Sequence, residues 1–392
     1  MFKKIILTLS MILLLIGAVT FSAAENSSGL RNNKGILFFD LKVKSLMKLA
    51  HMPSLTACVL KNNTIVWSKP YGYKNLYLRK KAELDTIYGI GSITKIFTAT
   101  AIMQLWEKDL FDLDDDINDY LDFNVRNPNF PEEPITFRML LSHQSSLFEG
   151  SECSYLFTLF SKHNYSWIKE VIIPGGKGYN KEFWMNYPPG QDVKYSNFGF
   201  IILGYLIEIM TNESYEEYCM ANIFIPLNMK NTGFTAEEFK KNSLAKPYAR
   251  LLGFYIPMPH YYFNFLFPAG GIKTTVEDLS HFLIAHLNGG VYDDVRILNE
   301  STVDLMHTQQ YPDSEWSGYR FGLGWAKWTD DYGEIYEGYS GGAPGNLAML
   351  KIRESDNNAI IYFANSYRGF KTNIEKKSYL ALDNLLFQKT IQ

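Results

Sequence analysis

Gly91-Ser92-Ile93-Thr94-Lys95 leads into the near-continuous apolar run Ile96-Phe97-Thr98-Ala99-Thr100-Ala101-Ile102-Met103-Gln104-Leu105-Trp106. A run with no polar face reads as a buried helix, and the glycine ahead of it permits close backbone approach. Residues three apart share a helix face, so Ser92 and Lys95 are expected to meet at the helix N-terminus. A serine hydroxyl becomes a useful nucleophile when a neighbouring amine takes its proton. Burial disfavours the ammonium form of Lys95 and lowers its pKa, as a general base requires. The helix start adds unpaired backbone N–H groups and a positive dipole end.

The surrounding chain is consistent with a globular enzyme. Its 392 residues are 46% hydrophobic and 20% charged, enough for one large domain or two smaller ones. A net charge of −3 gives no reason to expect a nucleic-acid partner. Aromatics reach 15%, with 26 Tyr and 27 Phe, which points to a Tyr-rich core or an apolar binding surface. The run Phe254, Tyr255, Tyr261, Tyr262, Phe263, Phe265 and Phe267 suits an apolar acyl pocket and equally buried core or an interface.

Lys3 and Lys4 precede an apolar stretch from Ile5 to Phe21, and Ser22-Ala23-Ala24 supplies small residues for cleavage. This pattern predicts a signal peptide over 1–24 and a secreted or extracytoplasmic protein (periplasm, cell surface or extracellular). Left uncleaved, the same segment would be an anchor, the one route to membrane association that the sequence offers. Three cysteines make an odd count. Cys58 reads as core, and a Cys153–Cys219 bridge is an open option. His and Cys show no metal-ligand spacing, so neither a metal nor a cofactor is expected; His281 and His286 are five apart, on different helix faces.

Along the chain, 38–50 reads as an amphipathic helix, and Ser54–Leu60 and Thr64–Ser68 as a hairpin around Lys61-Asn62-Asn63. A helix begins near Pro134, and Phe198–Met210 forms another. Residues 151–187 lack periodicity and carry Pro174-Gly175-Gly176, which suggests an insertion or lid. Thr275-Val276-Glu277-Asp278 opens a further helix. The segments Tyr319–Trp328, Glu334–Glu337, Leu347–Ile352 and Ala359–Ala364 alternate as antiparallel strands, and a last helix covers about 373–387. The order implies an α/β fold of the α+β type, with a central antiparallel sheet flanked by helices and a helical insertion.

A rival serine lies in Gly338-Tyr339-Ser340-Gly341-Gly342, which matches G-x-S-x-G. That motif needs a strand-to-helix turn and a histidine later in the chain. Here a strand-like run follows, and all seven histidines precede Ser340. Ser-x-x-Lys is itself loose: Ser45/Lys48, Ser166/Lys169 and Ser243/Lys246 also match, in charged or loop surroundings. Tyr195-Ser196-Asn197 follows Pro188-Pro189-Gly190 at a helix start. There Tyr195 suits a proton relay with Lys95, and Asn197 suits donation to a substrate carbonyl; equally, Ser196-Asn197 suits a helix cap with Tyr195 packed beside it.

Taken in order, Gly89–Lys95, Leu113-Asp114-Asp115-Asp116, 135–143, Tyr187-Pro188-Pro189-Gly190, Tyr195-Ser196-Asn197, Pro226-Leu227-Asn228-Met229 and Pro268-Ala269-Gly270-Gly271 resemble the serine β-lactamase/penicillin-binding-protein superfamily. The nearest branch is that of class C β-lactamases and D-alanyl-D-alanine carboxypeptidases/esterases, and the resemblance spans roughly residues 38–388. It implies a β-lactamase/transpeptidase-like fold with an all-helical subdomain. It further implies that Ser92 forms an acyl-enzyme, that Lys95 and Tyr195 move protons, and that Asn197 holds the substrate. The strand motif aligns with Tyr339-Ser340-Gly341, and the backbone N–H groups of Ser92 and Gly342 would form the oxyanion hole. Tyr339 departs from the pattern, which has Lys or His there. A neutral phenol removes a charge that favours Tyr195 ionisation and leaves a substrate carboxylate without a partner. The expected partner is therefore a small-molecule or peptide acyl substrate, an ester, amide or D-amino-acid peptide; the alternative is a catalytically weak or inactive binding or scaffold protein on the same fold.

Overall fold

Strand β1 (Ser54–Lys61) explains the centre of the molecule, because Ser54 through Leu60 are all buried. A strand whose two faces are both apolar belongs inside a sheet covered on both sides. β1 turns through Asn62 and Asn63, at φ +49° and +56°, into β2 (Thr64–Asn75). Two consecutive left-handed residues give the turn that matches strand twist, and asparagine tolerates that region. The expected hairpin therefore forms, with β2 running further than its apolar residues indicated.

The computed structural model describes residues 28–149, 165–240, 243–260, 264–311, 318–343, 345–366 and 372–391. The expected leader over 1–24, Cys153, Tyr261, Tyr262 and Phe263 lie outside them. The chain divides into two units, residues 1–43 and 44–392. What is described of the first is helical, part of helix α1 (Ser28–Leu49), which starts well before the residue 38 expected from periodicity. Among the described residues no helix is long and apolar enough to cross a membrane.

The second unit is built on an eight-stranded antiparallel sheet. Besides β1 and β2 it contains β3 (Lys80–Lys81), β4 (Tyr319–Phe321), β5 (Ala326–Thr329), β6 (Ile335–Ala343), β7 (Asn346–Arg353) and β8 (Asn358–Ala364), in the order β4-β5-β6-β7-β8-β1-β2-β3. Cys58 stands opposite Ile361 and Val59 opposite Ile360. On one face the Cys58 thiol reaches the Val276 carbonyl at the start of the helix Val276–Leu287. On the other, Tyr362 bonds Asp383 of the C-terminal helix Asn373–Phe387. The helix Thr94–Trp106 is buried from Thr94 to Leu105, with the Phe97 and Phe282 rings stacked at 3.9 Å. The fold is thus the expected mixed α/β arrangement of an antiparallel sheet flanked by helices.

Several segments differ from expectation. The helix after Pro134 is only Phe137–Leu141, capped by Thr136. Within the 151–187 stretch, residues 151–164 are outside the description, but 165–187 is anchored. Ile168, Val171, Ile172, Phe183 and Trp184 are buried, and the Trp184 indole donates to the Ile172 carbonyl at 3.0 Å. Cys58 and Cys219 are buried free thiols, so Cys219 is not half of a bridge. Of the aromatic run, Phe265 and Phe267 are core while Phe254 is exposed. Its hairpin, Tyr248–Leu251 with Phe254–Pro257, is a separate two-stranded sheet.

One side chain ties the sheet end together. Buried Asn365 accepts from the Ser54 amide at 2.8 Å and donates to the carbonyls of Tyr73 and Lys246 at 3.2 and 3.0 Å. Asn365→Ala strands these groups, and leaving a buried group unpaired costs about 1–3 kcal/mol. We expect a loss of that size in the unfolding free energy, read as a lower denaturant midpoint, whereas a substitution of exposed Tyr332 should leave the midpoint unchanged.

Candidate active site

Ser92 sits in a single 3₁₀ turn, Gly91–Ile93, that feeds the helix from Thr94. The turn is held from behind: Ile90 N donates to Ile272 O at 3.0 Å, and Ile272 N to Thr94 Oγ1 at 3.2 Å. In front of it runs β6. Gly91 adopts φ +51°, and a Cβ there would stand 3.1 Å from Gly342 N. A Cβ on Gly341 would stand 1.7 Å from Ile90 O. The two backbones touch only because both positions are glycine. Close approach thus brings Gly341 and Gly342 to Ser92, with Ser340 and Gly342 exposed on the same strand.

Lys95 is fully buried and its Nζ meets three oxygen atoms from three parts of the chain. Asn197 Oδ1 is at 2.6 Å, Ala269 O at 2.7 Å and Ser92 Oγ at 3.3 Å. A neutral amine has two N–H bonds and one lone pair. With the two shorter contacts taken as N–H donations, the lone pair is left facing the Ser92 hydroxyl. Burial supplies the neutral form: desolvation pulls the Lys95 pKa well down, and the nearby Glu149 charge pulls only partly back. The Ala269 carbonyl is held to the same helix by its neighbour, since Thr98 Oγ1 donates to Pro268 O at 2.6 Å. This is the local work done by the Pro268-Ala269-Gly270-Gly271 stretch.

Tyr195-Ser196-Asn197 opens the helix Asn197–Thr211, with Ser196 as its cap accepting from Gly199 N. Capping and site assembly are one event here, because the cap places Asn197 against Lys95. The Asn197 amide is oriented by that contact, so its NH₂ is the end left for a carbonyl. Tyr195 hydrogen-bonds both Ser92 and Tyr339, and Lys95 Nζ lies 5.0 Å from its ring centroid. Burial pushes the Tyr195 phenol far above its ordinary pKa, and the two hydrogen bonds offset this only in part. Tyr195 is therefore a neutral phenol in the resting site.

Tyr339, expected among the substrate-binding residues, lines the cavity at Ser92, with its hydroxyl turned inward. It is 5% exposed and bonds His143 Nε2 at 3.0 Å as well as Tyr195. His143 was visible in sequence only as one letter of Leu140-Leu141-Ser142-His143. Glu149 gave no sequence signal at all. Its carboxylate accepts from Ser196 Oγ at 3.0 Å and from the Asn197 amide, 48 residues away. Burial raises its pKa and those donors and Lys95 lower it.

A cavity of about 580 Å³ opens from Ser92 along β4 to β7, lined by Tyr195, Phe321, Trp328, Leu347 and Met349 among others. Among the described residues, the lining takes these aromatics and none from the 254–267 run. Among the described residues no group of His, Cys, Asp or Glu is arranged to hold a metal ion.

Comparison with known proteins places this geometry. The profile of the family described as Beta-lactamase matches residues 39–384. Protein flp of Staphylococcus aureus is 28% identical over 250 residues, 64% of this chain and 48% of its own. Beta-lactamase-like protein 4 of Dictyostelium discoideum is 32% identical over 281 residues, 68% of this chain and 46% of its own. The chain spans about half the length of these curated relatives. Among solved structures, an octameric penicillin-binding protein homologue from Pyrococcus abyssi superposes with TM-score 0.70 at 25% identity, covering 88% of this chain and 77% of its own. D-amino acid amidase from Ochrobactrum anthropi gives TM-score 0.70 at 20% identity, covering 91% and 100%.

The charge on Glu149 holds the Lys95 pKa higher than burial alone would. Glu149→Gln keeps an acceptor for Ser196 and Asn197 but removes that charge. The free amine should then persist to lower pH. The expected result is an acid limb of Ser92 labelling by a fluorophosphonate that moves to lower pH in the variant.

Proposed function

The chain belongs to the beta-lactamase family, and from that premise we propose that it is a serine hydrolase that transfers an acyl group to Ser92 and then to water. The observation that carries this reading is the Lys95 amine, whose two strong acceptors leave its lone pair to the Ser92 hydroxyl. As Ser92 Oγ bonds to the acyl carbon, its proton passes to Lys95 Nζ and the carbonyl π electrons move onto oxygen. The backbone N–H groups of Ser92 and Gly342 are the proposed donors to that oxyanion; one such donor is worth about 2.7–4 kcal/mol. The proton held by Lys95 leaves with the departing alcohol or amine. A water then attacks the acyl carbon, giving its proton to Lys95; the bond from that carbon to Ser92 Oγ breaks, Lys95 returns the proton to Ser92 Oγ, and the acid is released.

The substrate we infer is an ester or amide with an apolar or aromatic group and no free carboxylate beside the scissile bond. The cavity supplies the apolar walls. The position that the family pattern gives to Lys or His holds the Tyr339 phenol, already engaged by His143 and Tyr195. The D-amino-acid amidase likeness supports the fold and leaves amides among the substrates to be tried. Export from the cytosol remains a proposal resting on the 1–24 pattern, with the mass of the mature protein as its check.

Intact mass after incubation with a fluorophosphonate or an activated ester should show one adduct, mapped to Ser92 and absent in Ser92→Ala. An unmodified wild-type chain, or ester turnover that survives Ser92→Ala, contradicts the hydrolase reading. An adduct without turnover favours the binding-protein alternative. Matched substrates with a methyl ester or a free carboxylate at the same position should differ, with kcat/KM higher for the methyl ester; a preference for the free acid contradicts the neutral-substrate reading.

A further inference from the structure

The contacts behind Ser92 form a chain whose direction is fixed by one histidine. His143 Nδ1 accepts the Ser196 backbone N–H at 3.1 Å, so this nitrogen carries no proton. In neutral imidazole the proton is then on Nε2, which lies 3.0 Å from the Tyr339 hydroxyl and donates to it. Burial pushes the His143 pKa far below the ordinary imidazole value, so the neutral form is the resting one. The rings of Tyr195, Phe200 and Phe321 surround it at centroid distances of 4.5, 5.2 and 4.8 Å. With its acceptor side occupied by His143, Tyr339 has its own proton to give to Tyr195. Tyr195, in turn, has its proton for Ser92, and because the two Lys95 N–H bonds go to Asn197 and Ala269, the 3.3 Å Ser92–Lys95 contact is left for the Ser92 proton.

We propose that His143 is a positioning residue which, through Tyr339 and Tyr195, aims the Ser92 hydroxyl proton at Lys95 and so makes Lys95, not Tyr195, the group that receives it. This rests on the hydrolase reading above. In the step itself the Ser92 O–H bond breaks, its proton joins the Lys95 lone pair and the oxygen pair forms the bond to the acyl carbon. No net charge enters the chain from His143, which contributes direction alone. Tyr339, the residue that departs from the family pattern, becomes the link that a lysine could not be: a lysine there would be a pure donor when charged, and so unable to accept from His143 Nε2–H.

His143 adopts φ +62°, a region that asparagine tolerates. His143→Asn retains an acceptor in the place of Nδ1 for the Ser196 amide but does not reach Tyr339. His143→Gln restores a donor near the place of Nε2. The experiment measures the rate of Ser92 acylation by an activated ester, and the unfolding midpoint, for wild type, His143→Asn, His143→Gln, Tyr339→Phe and the Asn/Phe double variant. We expect His143→Asn to lose about tenfold, the worth of one neutral hydrogen bond, with Gln recovering most of the rate. In the Tyr339→Phe background His143→Asn should have no further effect, because the link is already cut. Independent, multiplying effects, or a His143→Asn variant that acylates at the parent rate, overturn the proposal. Failure of wild type to acylate at Ser92 is a different result and removes the hydrolase reading instead.

Discussion

A lysine amine in the protein interior has to be surrounded by acceptors or lose its proton, and Lys95, with two carbonyl acceptors and a hydroxyl facing its third position, loses it. Its Nζ is met by Asn197 Oδ1, Ala269 O and Ser92 Oγ, none of which carries a formal charge. Desolvation therefore dominates, and the pKa falls. The helix Thr94–Trp106 is buried almost throughout, so the lysine cannot extend to water as surface lysines do. Each acceptor belongs to a different element. The helix start at Asn197, the short helix Phe267–Gly270 and the turn at Ser92 must all be in register for the amine to be satisfied.

Glycine packing sets the second constraint. β6 lies against the Ser92 turn at a separation that a methyl group at Gly341 would prevent and one at Gly91 would crowd. The contact gives Gly342 its place beside the nucleophile. It also delivers Tyr339, on the opposite face of the strand, to His143 and Tyr195. One strand thus carries an exposed edge toward the cavity and a buried phenol behind the nucleophile. The departure at Tyr339 is consequently not a simple loss of charge. A phenol can accept on one side and donate on the other, which a protonated lysine cannot do.

Much of this was legible in the chain because the signals were local. The unbroken apolar run after Ser92, the Asn62-Asn63 turn and the Thr275 cap each depend on a few adjacent residues, and each forms as expected. The Ser92–Lys95 pairing follows from helix spacing. Glu149 was invisible because its meaning depends on Ser196 and Asn197, far along the chain. His143 was visible as a letter in a family-like stretch but not as a partner of Tyr339, 196 positions later. The aromatic run at 254–267 stayed ambiguous for the opposite reason: composition marks residues that bury, not the cavity into which they face. Phe265 and Phe267 are core, whereas the cavity takes Phe321 and Trp328 from the sheet.

The central claim is that Lys95 rests as a free amine with its lone pair on Ser92. Direct titration by NMR of the Lys95 side-chain nitrogen in ¹⁵N-lysine-labelled protein, assigned with a Lys95→Arg control, tests it most closely. The account predicts a lysine signal that titrates well below the ordinary value of about 10.4 and that shifts in Ser92→Ala. A Lys95 signal that stays protonated up to the ordinary lysine range, unaffected by loss of the Ser92 hydroxyl, would contradict it.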